Sequence, residues 1–119
     1  NFNSHIKMLR SELQKKSEAM CYAFDKYFGS SADYKKPDGG IFIWVDMPKK
    51  VDTSRLYELA LREGVAINPG NEWSINENGK HKMRLCFGNP SIREIDEGIK
   101  LLAEICRKEF GLPTKIANL

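Results

Sequence analysis

No stretch of the chain approaches the ~20 consecutive apolar residues that span a bilayer, and the N-terminus has no apolar core of a signal peptide. A membrane protein is therefore not expected. Dense runs of lysine or arginine are also missing: the net charge is only +3, with the basic residues spread among acids. That pattern describes a solvated mixed surface and gives no indication of a nucleic-acid or membrane partner. Cysteine is scarce and odd in number. Cys21, Cys86 and Cys106 lie far apart without a CxxC pair, which fits reduced thiols in a cytoplasmic protein better than a disulfide framework. Internal repeats and low-complexity segments are absent. With 41% hydrophobic and 29% charged residues, the chain has an ordinary globular composition rather than a disordered one. Its 119 residues suit a single domain over 1–119 and are too few for two.

What is present is periodicity. Ile6, Leu9, Leu13, Met20, Phe24 and Tyr27 mark one face of a helix over 2–28, closed by Gly29. Such a helix would be ~38 Å long, enough to reach a neighbour beyond its own domain. The chain starts at Asn1 without a Met and runs directly into this pattern, so it reads as a piece of something longer. Tyr34 to Gly40 is turn-rich. Ile41 to Met47 is a strand apolar on both faces, predicted to be central and covered on both sides. Asp52-Thr53-Ser54 offers an N-cap for a short helix from Arg55 to Glu63 with Gly64 as its stop. Val65-Ala66-Ile67 is predicted as a brief strand leading into Asn68-Pro69-Gly70. Trp73 and Ile75 alternate with polar residues before Asn78-Gly79, a hairpin signal, and Lys82 to Phe87 is the returning strand. Ser91 and Glu94 form a capping box for a last helix over 91–110, which carries Ile92, Ile95, Ile99, Leu102, Cys106 and Phe110 at helical spacing. Sheet and short helix thus occupy 40–87, and the class is α+β: a small, mostly antiparallel sheet packed by helices.

Catalytic chemistry finds few candidates. His5 and His81 are the only histidines, and Cys86 and His81 on one strand point to opposite faces, so neither a nucleophile–base pair nor a metal set emerges. Gly39 and Gly40 precede a strand, whereas a phosphate-binding loop opens a helix. Arg84 stands out. Strand alternation puts Met83, Leu85 and Phe87 on one face and Arg84 with Cys86 on the other, leaving a guanidinium in mid-strand among apolar neighbours, where a charge needs a partner. Three readings fit: a structural ion pair, an arginine on an exposed sheet face, or a bidentate receptor for a ligand carboxylate on a face that another domain covers. Phe42 and Trp44 share a side of their strand. Core packing is the simpler expectation for them, and a docking surface the other.

The order of these motifs resembles the C-terminal small domain of class I/II, fold type I, pyridoxal-phosphate-dependent aminotransferases. The matching segments are the long helix, Pro37 to Trp44, Gly64 to Gly70, Met83 to Phe87 and Ile95 to Ile99. The 2-aminoadipate-type enzymes and the aminotransferase-like regulators are the nearest in pattern. The resemblance implies that Arg84 binds the α-carboxylate of an amino-acid substrate and that Gly39 and Gly40 flank the substrate entrance. It also implies an N-terminal large domain as partner, amino-acid and 2-oxo-acid substrates, a homodimer, and pyridoxal 5'-phosphate held in the intact protein but not by this chain. No lysine here, Lys35 and Lys36 included, matches the family's Schiff-base motif, so no catalytic or cofactor-binding residue is assigned and the chain alone is expected to be inactive. Trp73 departs from the Phe common in relatives. Two rival readings stand beside the enzyme: a sensor domain fused to a DNA-binding winged helix, and an independent α+β binding module.

Overall fold

The computed structural model describes residues 2–36, 40–70 and 79–115. Helix α1 (Phe2–Tyr27) opens it, and a 3-10 turn (Gly29–Ser31) follows. Gly29 adopts φ +61, a left-handed conformation that favours glycine and turns the chain out of the helix. Only the last third of α1 is inside: Met20, Ala23, Phe24 and Tyr27 are buried, while Phe2, Met8 and Leu9 are exposed. The apolar stripe read from the sequence therefore divides into a C-terminal part that packs and an N-terminal part that extends past the core.

Four strands follow: β1 (Asp33–Lys35), β2 (Phe42–Asp46), β3 (Asn68–Pro69) and β4 (Lys82–Cys86). Their order in the sheet is β1-β2-β4-β3, and every neighbouring pair is antiparallel. Helix α2 (Thr53–Arg62) lies between β2 and β3, and α3 (Ile92–Phe110) closes the described chain. The class is α+β with a small antiparallel sheet, as the sequence pattern predicts.

The core lies on one face of that sheet. Ile43 and Val45 of β2 and Met83 and Leu85 of β4 point into it, against Phe24 and Phe28 from the first helix and its end. Leu56 and Ala60 of α2 and Ile95, Ile99, Leu102 and Cys106 of α3 complete it. Each large side chain buried this way contributes roughly 1.5–3 kcal/mol relative to exposure. Phe24 and Phe28 stack with ring centroids 5.3 Å apart. Tyr27 donates a 2.8 Å hydrogen bond to Asp96 Oδ2, joining α1 to α3. The helix starts are capped as expected: Asp52 accepts from Ser54 N and Arg55 N, and Ser91 and Glu94 form the capping box of α3.

Four expectations change. The segment 65–67 is not a strand; Val65 N donates to Ala60 O at 2.9 Å, so the end of α2 holds it, and pairing starts only at Asn68. Part of the predicted turn is a strand, because Tyr34 turns inward between exposed Asp33 and Lys35 and pairs with Val45. Helix α2 begins at Thr53, two residues earlier than read, since Asp52, the first of the three cap residues read from the sequence, is its cap. Strand β2 is interior in the sheet but, among the described residues, covered on one side only: Trp44 is 42% exposed. The predicted strand through Trp73 and Ile75, and Asn78 of the turn, lie outside the described residues. No described helix is long and apolar enough to cross a membrane.

Candidate carboxylate site on the open face of the sheet

The open face is built by strand register. Trp44 on β2 and Asn68 on β3 both pair with Arg84 on β4, one from each side, and Lys35 on β1 pairs with Trp44. Directly paired residues share a face. A row of Lys35, Trp44, Arg84 and Asn68 therefore crosses the sheet on the side opposite the core. Alternation delivers Arg84 there because Met83 and Leu85 are fully committed to the core.

The guanidinium carbon of Arg84 lies 4.7 Å from the centroid of Phe42 and 5.7 Å from that of Trp44, both within cation–π range. Phe42 and Trp44 are thus not core residues, as the simpler expectation had it. They lie beside a cation on the open face, because β4 is the neighbour of β2. Among the described residues no carboxylate comes within ion-pair distance of Arg84. Its Nε is buried and has no hydrogen-bond partner. A guanidinium offers donors in a fixed fork, and a carboxylate oxygen pair matches that fork.

The other predicted positions lie around this cluster. Gly40 is exposed at φ +76, two residues before Phe42. It lines a groove of about 500 Å³ with Arg10, Gln14, Glu18, Lys36 and Phe87. Arg84 does not line that groove, nor the groove of about 410 Å³ between Val65, Cys86 and Gly98. These two grooves and the Arg84 cluster are therefore in different places. Gly39 lies outside the described residues. Asn68, on the second flank of Arg84, escaped the sequence reading because the strand was predicted at 65–67; the signal available was Asn68-Pro69-Gly70 itself.

Nucleophiles and metal ligands gain nothing from the fold. His81 Nε2 sits 3.1 Å from Asp46 Oδ1, whereas Cys86 pairs with Phe42 at the far end of β2. The two are thus separated by most of a strand. Burial pushes the Cys106 thiol up to about 12, and desolvation raises Cys21. No three potential metal ligands cluster among the described residues. The N-termini of α2 and α3 already spend backbone donors on Asp52 and Ser91, leaving no ready phosphate cradle there.

Comparison with known proteins gives these groups a context. Residues 1–102 match the sequence profile described as "Aminotransferase class I and II". An uncharacterized aminotransferase of Saccharolobus solfataricus is 35% identical over 108 residues, covering 91% of this chain and 27% of that protein. The crystal structure of alpha-aminoadipate aminotransferase from Thermus thermophilus, complexed with N-(5'-phosphopyridoxyl)-L-leucine, superposes with a TM-score of 0.82 at 29% identity. That match covers 90% of this chain and 28% of the other. A relative of a different description, the uncharacterized HTH-type transcriptional regulator YisV of Bacillus subtilis, is 28% identical over 90% of this chain and 22% of its own length. The chain thus spans about a quarter of the length of the proteins it matches.

Proposed function

Because the chain belongs to the class I and II aminotransferases, a pyridoxal-phosphate-dependent family of fold type I, we propose that it is the small, substrate-holding domain of such an enzyme. The intact protein would transfer an amino group between an L-amino acid and a 2-oxo acid. The observation behind this reading is the guanidinium of Arg84, central in the sheet, on the open face and without an acidic partner among the described residues. Arg84 receives the α-carboxylate through two parallel hydrogen bonds and fixes the orientation of Cα. Orientation of a reacting bond is worth many orders of magnitude in rate. Gly40, and Gly39 before it, flank the entrance. Pyridoxal phosphate, when bound, supplies the electron sink for cleaving the Cα–H bond. Residues outside these 119 would hold it, in a large domain that this one covers, within a cytoplasmic homodimer.

The test uses the full-length gene product with its cofactor. Arg84→Ala raises KM for L-amino acids about 30-fold or more. Arg84→Lys recovers little of it, because an ammonium lacks the bidentate fork. An unchanged KM in Arg84→Ala would remove the carboxylate role.

The similarity to regulators such as YisV supports a second reading, a sensor in which the same face reads an amino acid without turning it over. The two separate on the visible absorbance of the bound cofactor. In the enzyme, at least one L-amino acid converts that absorbance to the amine form, and a 2-oxo acid restores it. In the sensor, no amino acid does.

A further inference from the structure

We infer that Phe42 and Trp44 are positioning residues for Arg84: together they fix the guanidinium and shield its flank, so that a substrate carboxylate meets it preorganised. This rests on the carboxylate role proposed above for Arg84 and extends it to two residues that do not themselves need to touch substrate.

Three observations meet here. Both rings lie within cation–π range of the guanidinium carbon, at 4.7 and 5.7 Å. The register makes this a property of the sheet: Trp44 is the direct cross-strand neighbour of Arg84, and Phe42, two residues earlier, is its diagonal one. Finally, Nε is buried and without a hydrogen-bond partner, so the side chain is not held through that nitrogen. An arginine on an open sheet face ordinarily samples many rotamers, and ordering it on binding costs affinity. Two aromatic neighbours remove that freedom in advance. They also replace water beside the charge with a medium of lower dielectric, which strengthens a later charge-assisted bond to a carboxylate. An acidic neighbour would fix the arginine as well, but it would compete with the substrate. Aromatic rings hold the cation and leave its charge uncompensated.

The geometry also explains why Trp44 remains 42% exposed on a strand whose neighbouring side chains Ile43 and Val45 are buried.

The experiment is a double-mutant cycle in the full-length protein carrying its cofactor. KM and kcat are measured for the L-amino acid that best converts the cofactor, alongside the Kd of 2-aminoisobutyrate, which binds as an amino acid but has no Cα–H to lose. Trp44→Ala is expected to raise KM and that Kd about tenfold, with kcat changed far less. Trp44→Leu, which keeps apolar bulk without a π face, should behave like Trp44→Ala, whereas Trp44→Phe should stay within about twofold of the parent. Phe42→Leu should raise KM in the same direction. In the Arg84→Ala background, Trp44→Ala should add nothing, because the residue it positions is gone. Equal effects of Trp44→Ala in both backgrounds, or none in either, would overturn the inference while leaving Arg84's role intact. An unaltered KM in Arg84→Ala alone would instead refute the carboxylate reading, and this inference with it.

Discussion

At Gly70 a methyl group would run into the carbonyl oxygen of Gly79 and come within 2.7 Å of that of Lys82. The glycine is there for closeness of backbone, since its φ lies outside the left-handed range, and the clash is with main chain that cannot rotate away. Gly70→Ala is therefore expected to cost about 1–3 kcal/mol, as overpacking does, read as a lower urea midpoint at unchanged slope. Because Gly70 follows β3 directly, the change would also loosen Asn68 beside Arg84. Single residues differed widely in how legible they were. Arg84 could be picked from strand alternation alone, because Met83, Leu85 and Phe87 so plainly claim the other face. That Phe42 and Trp44 share a side was legible too. That they flank an arginine was not, since it depends on β4 lying next to β2, a fact of topology and not of spacing.

Among the elements, those with local signals were legible and those depending on partners were not. Helix α3 carries its own instructions: apolar residues every three or four positions, a capping box at Ser91 and Glu94, and Gly111 at φ +64 to end it. Strand β1 carries almost none, and its identity comes from pairing with β2 and from Tyr34 reaching the core. The same limit explains β2, whose sequence is apolar on both faces although one face has no cover among the described residues. The cap of α3 makes a pH-dependent prediction. Hydrogen bonds to Ser91 lower the carboxyl of Glu94 below its ordinary 4.5. A lowered folded-state value means that the cap's contribution is complete above that ordinary value and is lost as pH falls through the lowered one. Glu94→Gln should flatten the acid limb of the stability–pH curve by lowering stability at neutral pH, the two proteins converging at low pH, measured by urea unfolding from pH 3 to 7. An acid limb identical in the two proteins would mean that the cap contributes nothing to it.

For the molecule as a whole, the join between α1 and α3 is the most distant in sequence, and Tyr27–Asp96 is its polar lock. Tyr27 is only 3% exposed, so Tyr27→Phe keeps the packing and removes the donor. The expected loss is about 1.5 kcal/mol, that of a hydrogen bond to a charged group, seen as a Tm lower by a few degrees. Asp96→Asn should cost less, since an amide oxygen can still accept. This scale also holds what the sequence states least: that α1 outruns its core, with Phe2 76% and Met8 60% exposed, and that one side of the sheet has no cover among the described residues.

The same long-range join governs how the chain can be made. Tyr27 and Asp96 stand 69 positions apart, and β2 must wait for β4 before its inner edge is paired. A ribosome that has delivered everything up to β4 has therefore produced a sheet whose apolar face still lacks α3. Ile43, Met83 and Leu85 would be open to water, and to neighbouring chains, until α3 emerges. A premature stop within α3 would yield a chaperone substrate rather than a slightly smaller protein.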